Sequence, residues 1–194
     1  MKNLIIIAFF ALSIACNGQV TVTKPLYSYD PDTHQNGAYY KDLNSELYYW
    51  EGTWEGILNN MKYTFVFVKF IQQLNGNTNS NYYYEDEIRG KYQVLDLTTN
   101  QLIYDNLSAV NYNDYSILGL AIRNGIYSFK FEDVASKCYN SAKFILQKIS
   151  GQPNQVKYCY FRYSDYNYID CPNYPNQISI PMFLPQENLI LTKR

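Results

Sequence analysis

The stretch from Gly52 to Phe70, GTWEGILNNMKYTFVFVKF, leaves this chain few folds to choose from. Two strand-type runs flank Asn59-Asn60, and asparagine tolerates the turn conformations that a tight hairpin demands. In the second run Met61, Tyr63, Phe65 and Phe67 fall on one face, and Thr64, Val66, Val68 and Phe70 on the other. Side chains of a strand alternate between faces, and both faces here are mostly apolar. Such a strand is central in its sheet or covered by another part of the chain. An isolated hairpin is marginal in water, so the remaining residues must supply partners.

They do so in short alternating runs. Ile88, Gly90, Tyr92 and Val94 alternate with Glu87, Arg89, Lys91 and Gln93, which predicts a strand with one wet face. Shorter strands follow around Leu102–Tyr104 and Ile117–Ile122. Asn124-Gly125 is a hairpin signal, and Tyr127, Phe129 and Phe131 continue on one face beyond it. Ala142, Phe144 and Leu146 form the next inward set. Val156, Tyr158 and Tyr160 share a face opposite Cys159, Phe161 and Tyr163, and strands near Ile178–Met182 and Leu189–Leu191 finish the chain. Polar or turn-rich stretches at 75–81, 105–115, 132–140 and 151–154, and around Pro172 and Pro175, separate these runs. The acidic triplet Glu85-Asp86-Glu87 reads as a solvated turn at a strand start. Asp42 is placed to cap a short helix whose stripe is Leu43, Leu47 and Trp50. The total is about eight to ten strands and almost no helix, which predicts an all-β fold: a single antiparallel β-barrel or a sandwich, with a short N-terminal helix.

The first residues read differently. Lys2 precedes an apolar run from Leu4 to Ile14, too short to span a bilayer and of the length found in secretory leaders. Cleavage after Gly18 leaves small residues at Cys16 and Gly18, giving a signal peptide over 1–18, an extended arm over 19–40 and the barrel-like domain over 41–194. Lipidation of Cys16 is the competing ending, and it makes the expected location an envelope lipid anchor rather than the periplasm or exterior. An exported chain meets an oxidising space. Of the 4 cysteines, Cys159 and Cys171 are close in sequence and are the candidate disulfide, with Cys138 as the competing partner for either.

Composition removes several functions. Net charge is −1, without a basic run, which argues against nucleic acid and against a polybasic membrane surface. The one histidine, His34, lies in the arm near Asp30 and Asp32, with nothing in the sequence to mark a triad. One histidine and scattered cysteines do not make a zinc site. Asp30-x-Asp32 lacks the glycine and glutamate of a calcium loop. No glycine-rich phosphate loop occurs. The expectation is a non-enzymatic protein with no cofactor and no metal. The 22 tyrosines, against only 17% charged residues, suit half-buried strand surfaces and leave open a stacking surface for a ligand.

Two resemblances bear on this. Asn36 to Trp54, NGAYYKDLNSELYYWEGTW, resembles the opening of a domain of unknown function in secreted proteins of flavobacteria and their relatives. In that family a leader is followed by a GxYYKD element, here Gly37 through Asp42, and by GTW, here Gly52 to Trp54. Its ending is similar to Pro185 through Lys193, and it carries no known activity. Gly52 and Trp54 are also similar to the Gly-x-Trp of lipocalins and related calycins. That resemblance implies that the Trp54 indole closes the barrel base and that Lys193 or Arg194 stacks on it.

Two functional readings follow. One is an exported β-barrel that binds a small or apolar ligand among inward aromatics such as Phe65, Phe67, Phe129 and Phe144. The other is an envelope or extracellular interaction module that meets a protein or glycan through Tyr and Asn side chains. An open lumen favours the first, and a filled lumen with exposed aromatics favours the second.

Overall fold

The computed structural model describes residues 22–28, 35–77, 81–133, 140–163 and 181–194. Among these residues eleven strands run in chain order: β1 (Thr23–Pro25), β2 (Tyr39–Lys41), β3 (Gly52–Leu58), β4 (Met61–Asn77), β5 (Asn81–Asp96), β6 (Gln101–Asp105), β7 (Ile117–Arg123), β8 (Ile126–Glu132), β9 (Ser141–Ile149), β10 (Gln152–Tyr163) and β11 (Leu189–Lys193). Eight of them, β3-β4-β5-β7-β8-β9-β10-β11, close into an antiparallel barrel. The two Asn-containing hairpins form as read: Asn59 and Asn60 take φ of 52° and 62°, and Asn124 and Gly125 take 51° and 74°. Both turns match the right-handed twist of the strands they join.

The closing seams are β3 against β11, where Trp54 faces Lys193, and β5 against β7, where Gly90 faces Ile117. Gly90 is required at the second seam: a Cβ there would lie 2.7 Å from Phe67 Cε1 and 3.0 Å from Ile117 Cβ. The edge of β5 away from β4 is shared among three neighbours. Its first residues pair with β2, Arg89 and Gly90 with β7, and its last residues with β6. β2 joins in parallel and carries β1 on its far side.

The lumen is full of rings. Phe65 stacks on Tyr92 at 5.7 Å and on Tyr158 at 6.0 Å, Tyr158 on Phe144 at 4.8 Å, and Phe144 on Phe129 at 5.3 Å. Phe67 and Tyr127 extend the series through Phe129, and Trp50 meets Tyr127. All of these side chains are buried. An eight-stranded barrel is just wide enough to be filled this way. The second apolar face of β4 is half-buried. Residues 106–116 lie along the outer wall of β4 and β5, with Phe70 edge-on to Tyr112 and Tyr115 and Lys91 Nζ donating to Ala109 O at 2.7 Å.

The register places Gly52, Phe67, Arg123, Gln152 and Lys193 at one end of the barrel. A single 3-10 turn, Leu47–Tyr49, plugs that end, with Leu47 and Trp50 buried. This turn stands where an α-helix was expected. Leu43 is 56% exposed, so no three-residue apolar stripe exists to hold a longer helix against the core. At the other end residues 181–188 cross the mouth without forming a strand. Asn140 Nδ2 donates to Pro181 O at 3.2 Å, Phe183 packs on Tyr104 at 5.5 Å, and Leu184 is buried.

Four further expectations need correction. Residues 75–77 continue β4 rather than looping, and 152–154 already belong to β10. The strand near Ile178–Met182 is absent at Pro181 and Met182, while 178–180 lie outside the described residues. Tyr160 does not share the inward face of Val156 and Tyr158. A register shift between Cys159 and Arg162 inserts a bulge into β10 and turns Tyr160 outward.

Candidate binding site at the barrel mouth

Gly52 and Trp54 sit where the barrel base is sealed. Gly52 has φ 112°, a conformation that side chains disfavour, and the Lys193 stem lies 3.2 Å from where a Cβ would be. Trp54 is fully buried, and its Nε1 donates to Trp50 O at 2.8 Å. Lys193 Nζ lies 5.3 Å from the Trp54 ring centroid and donates to Tyr49 O at 2.8 Å. Arg194 instead reaches outward to Glu55, at 2.6 Å. This end is a structural plug in which the Lys193 ammonium and the Trp54 indole N–H are engaged, while the buried Trp50 indole N–H has no hydrogen bond among the described residues.

The acidic triplet is neither a turn nor solvated. Glu85, Asp86 and Glu87 lie inside β5, and the last two are buried. Asp86 accepts from Tyr39 OH at 2.5 Å, Asp42 N at 3.1 Å and Gln72 N at 3.0 Å. Asp42 in turn accepts from Glu46 N, Leu47 N and Lys69 Nζ. Glu87 holds Arg89 at 3.3 Å and the Tyr112 hydroxyl. These carboxylates tie β2, the 3-10 turn, β4 and β5 together, with their oxygens engaged as acceptors. Glu85 is the exception: burial, then the charges of Glu87 and Asp86, raise its carboxyl to about 7. Among the described residues no group of His, Cys, Asp and Glu is arranged to hold a metal ion.

The other mouth is different. An open hollow of about 550 Å³ is lined by Tyr160, Phe161, Gln186, Glu187 and Asn188. β10 supplies one wall and the segment entering β11 supplies the other. Tyr160 is 68% exposed and has φ 56°. That conformation is unfavourable for a bulky residue, and such strain gathers at ligand clamps. A comparison inside the same barrel is useful. Gln72, at the β4 bulge, also has positive φ, but its N–H reaches the Asp86 carboxylate. The Tyr160 side chain has no hydrogen bond or ring contact among the described residues. Tyr163, the next tyrosine along β10, accepts from Gln186 Nε2 at 3.2 Å through its hydroxyl and so joins the two walls.

Beneath this mouth lie Tyr63 and Tyr158. Burial, and then the negative charge of Glu187, raise the Tyr63 phenol. Tyr158 is fully buried, and its hydroxyl makes no hydrogen bond among the described residues. Alternation alone groups Tyr160 with Val156 and Tyr158 on one face, and no motif singles out residues 186–188. A bulge leaves no mark in alternation, so the signal was absent.

The remaining candidates divide simply. Cys159 is buried, and burial raises its thiol. Cys16, Cys138, Cys171, His34, Asp30 and Asp32 lie outside the described residues, as does the 1–18 leader. Among the described residues no helix is long and apolar enough to cross a membrane, which says nothing about strands.

No curated protein and no solved structure matches the chain. A family of unknown function, DUF6705, matches residues 1–194, end to end. This β-barrel protein therefore belongs to the DUF6705 family.

Proposed function

We propose that this protein is an exported, non-enzymatic binding module that takes a glycan chain at the mouth formed by Tyr160, Phe161, Gln186, Glu187 and Asn188. The observation that carries the proposal is Tyr160: a large aromatic held at positive φ, turned out of the barrel wall beside an open hollow. The ring offers an apolar face on which the C–H face of a sugar can lie, and its hydroxyl stays wet. The amides of Gln186 and Asn188 both donate and accept, so they suit sugar hydroxyls of either sense. Barrel mouths are common ligand sites. Nucleobases would offer similar faces, but their phosphates ask for cations, and none lines the hollow among the described residues.

The reading of an apolar ligand inside the barrel has less support, because aromatic side chains occupy the lumen. Export rests on the Lys2 and Leu4–Ile14 leader, with lipidation of Cys16 as its variant. The Trp54–Lys193 geometry supports a calycin-type base, and the GxYYKD and GTW elements support an origin among secreted flavobacterial proteins.

Titration of the purified protein against a glycan panel tests the proposal. Binding that is lost in Tyr160→Ala, with an unchanged melting temperature, is the expected outcome. No binding to any glycan, or equal binding by Tyr160→Ala, would overturn it.

A further inference from the structure

We infer that this mouth selects neutral glycans, and that Glu187 is the residue that turns acidic ones away. The inference rests on the glycan reading and adds its ligand class. Of the five described residues lining the hollow, Glu187 alone carries a charge. It has no ion-pair partner among the described residues, and it stands exposed at the hollow's edge. The contrast with Glu55 is direct. Glu55, on the outer wall of β3, is held by Lys62 at 2.7 Å and by Arg194 at 2.6 Å. A neutralised carboxylate is what this fold builds where charge serves the wall. Glu187 was left open to the mouth.

The field of that carboxylate extends inward as well as outward. It helps to raise the Tyr63 phenol, so its charge is felt beneath the hollow. The nearest cation along β10, Arg162, is not among the lining residues, and its register partner is Lys143 on β9, the side away from β11. A hollow of about 550 Å³ is roughly 8 Å across, within one screening length at physiological salt. A uronate or sulfate group entering it cannot avoid Glu187. For like charges ~5 Å apart the unscreened penalty runs from roughly fourfold in bulk water to roughly a few hundredfold at a protein surface, and salt screening at this exposed edge leaves roughly tenfold in affinity. A neutral sugar meets no such penalty, and its hydroxyls can donate to the same carboxylate as charge-assisted hydrogen bonds. The polar set therefore rewards hydroxyls and rejects anions with one side chain.

The experiment compares neutral tetrasaccharides (cellotetraose, maltotetraose and fully N-acetylated chitotetraose) with tetragalacturonate by calorimetry, at low and high salt. Wild type is expected to bind at least one neutral tetrasaccharide about tenfold tighter than tetragalacturonate, with the gap narrowing as salt rises. Glu187→Gln is expected to close most of that gap by admitting tetragalacturonate. Equal wild-type affinity for neutral and acidic chains, or a ratio unchanged by Glu187→Gln, overturns the selectivity while leaving glycan binding intact. Failure of every oligosaccharide to bind overturns the glycan reading itself.

Discussion

Lys193 and Trp54 face each other across the β3–β11 seam, with the ammonium 5.3 Å from the indole centroid. Burial lowers the Lys193 ammonium, and the charge of Glu51 opposes that change. The pair shuts the barrel base: one partner supplies the ring, and the other covers it while its charge reaches Tyr49 O.

Trp54→Ala removes a fully buried indole and its hydrogen bond to Trp50 O. The expected loss is about 3–5 kcal/mol of stability, read by chemical denaturation. An unchanged midpoint would place the indole outside the core.

Tyr158→Phe removes a hydroxyl that has no hydrogen bond among the described residues. Deleting an unsatisfied buried polar atom is neutral or stabilising, by up to ~1 kcal/mol. A loss of more than about 1 kcal/mol would mean that the hydroxyl has a partner in solution, such as an ordered water.

Glu85→Gln tests the raised carboxyl. Because the folded state holds the Glu85 proton up to about pH 7, it binds more protons than the unfolded state below that point. Stability from this group is therefore lost as pH rises from the ordinary carboxylate range, ~4.3, through about 7. The wild type should lose roughly 1–3 kcal/mol over that window relative to Glu85→Gln. Parallel stability curves for the two proteins from pH 4.5 to 8 would show that Glu85 ionises freely.

Tyr160→Gly relieves a positive φ at a bulge. Glycine accepts that conformation without strain, so the variant should gain about 1 kcal/mol while losing glycan affinity. This opposition of stability and binding is what a strained functional residue produces. A variant that loses stability instead would mean that the ring packs against the barrel.

The repetitive parts of this fold were legible in the sequence. Tyr127, Phe129 and Phe131, or Ala142, Phe144 and Leu146, alternate without interruption and lie inside as read. Asn59-Asn60 and Asn124-Gly125 mark their turns because few residues tolerate positive φ. What stayed hidden depends on contacts distant in sequence. Glu85-Asp86-Glu87 looked wet, because nothing local reveals that Tyr39, Asp42, Gln72 and Tyr112 supply its donors. The spacing of Leu43, Leu47 and Trp50 predicts a short helix by counting all three as apolar and inward, whereas the burial of Leu43 depends on where β2 delivers the chain, and a 3-10 turn over Leu47–Tyr49 forms. The mouth was illegible for the same reason. Tyr160 needed a bulge, and Gln186 to Asn188 matter only because β11 returns beside β10.

That return has a kinetic consequence. Lys193 bonds to Tyr49 over a separation of 144 residues, and without β11 the β3 wall stays open on one side. Loop-closure entropy must be met before this contact contributes anything. Fragments that stop short of β11 should therefore populate no native barrel, and the full chain should fold slowly in a single cooperative event. A polypeptide that cannot lock until β11 is present stays open along its length in the meantime, which lengthens its exposure to proteases and to aggregation.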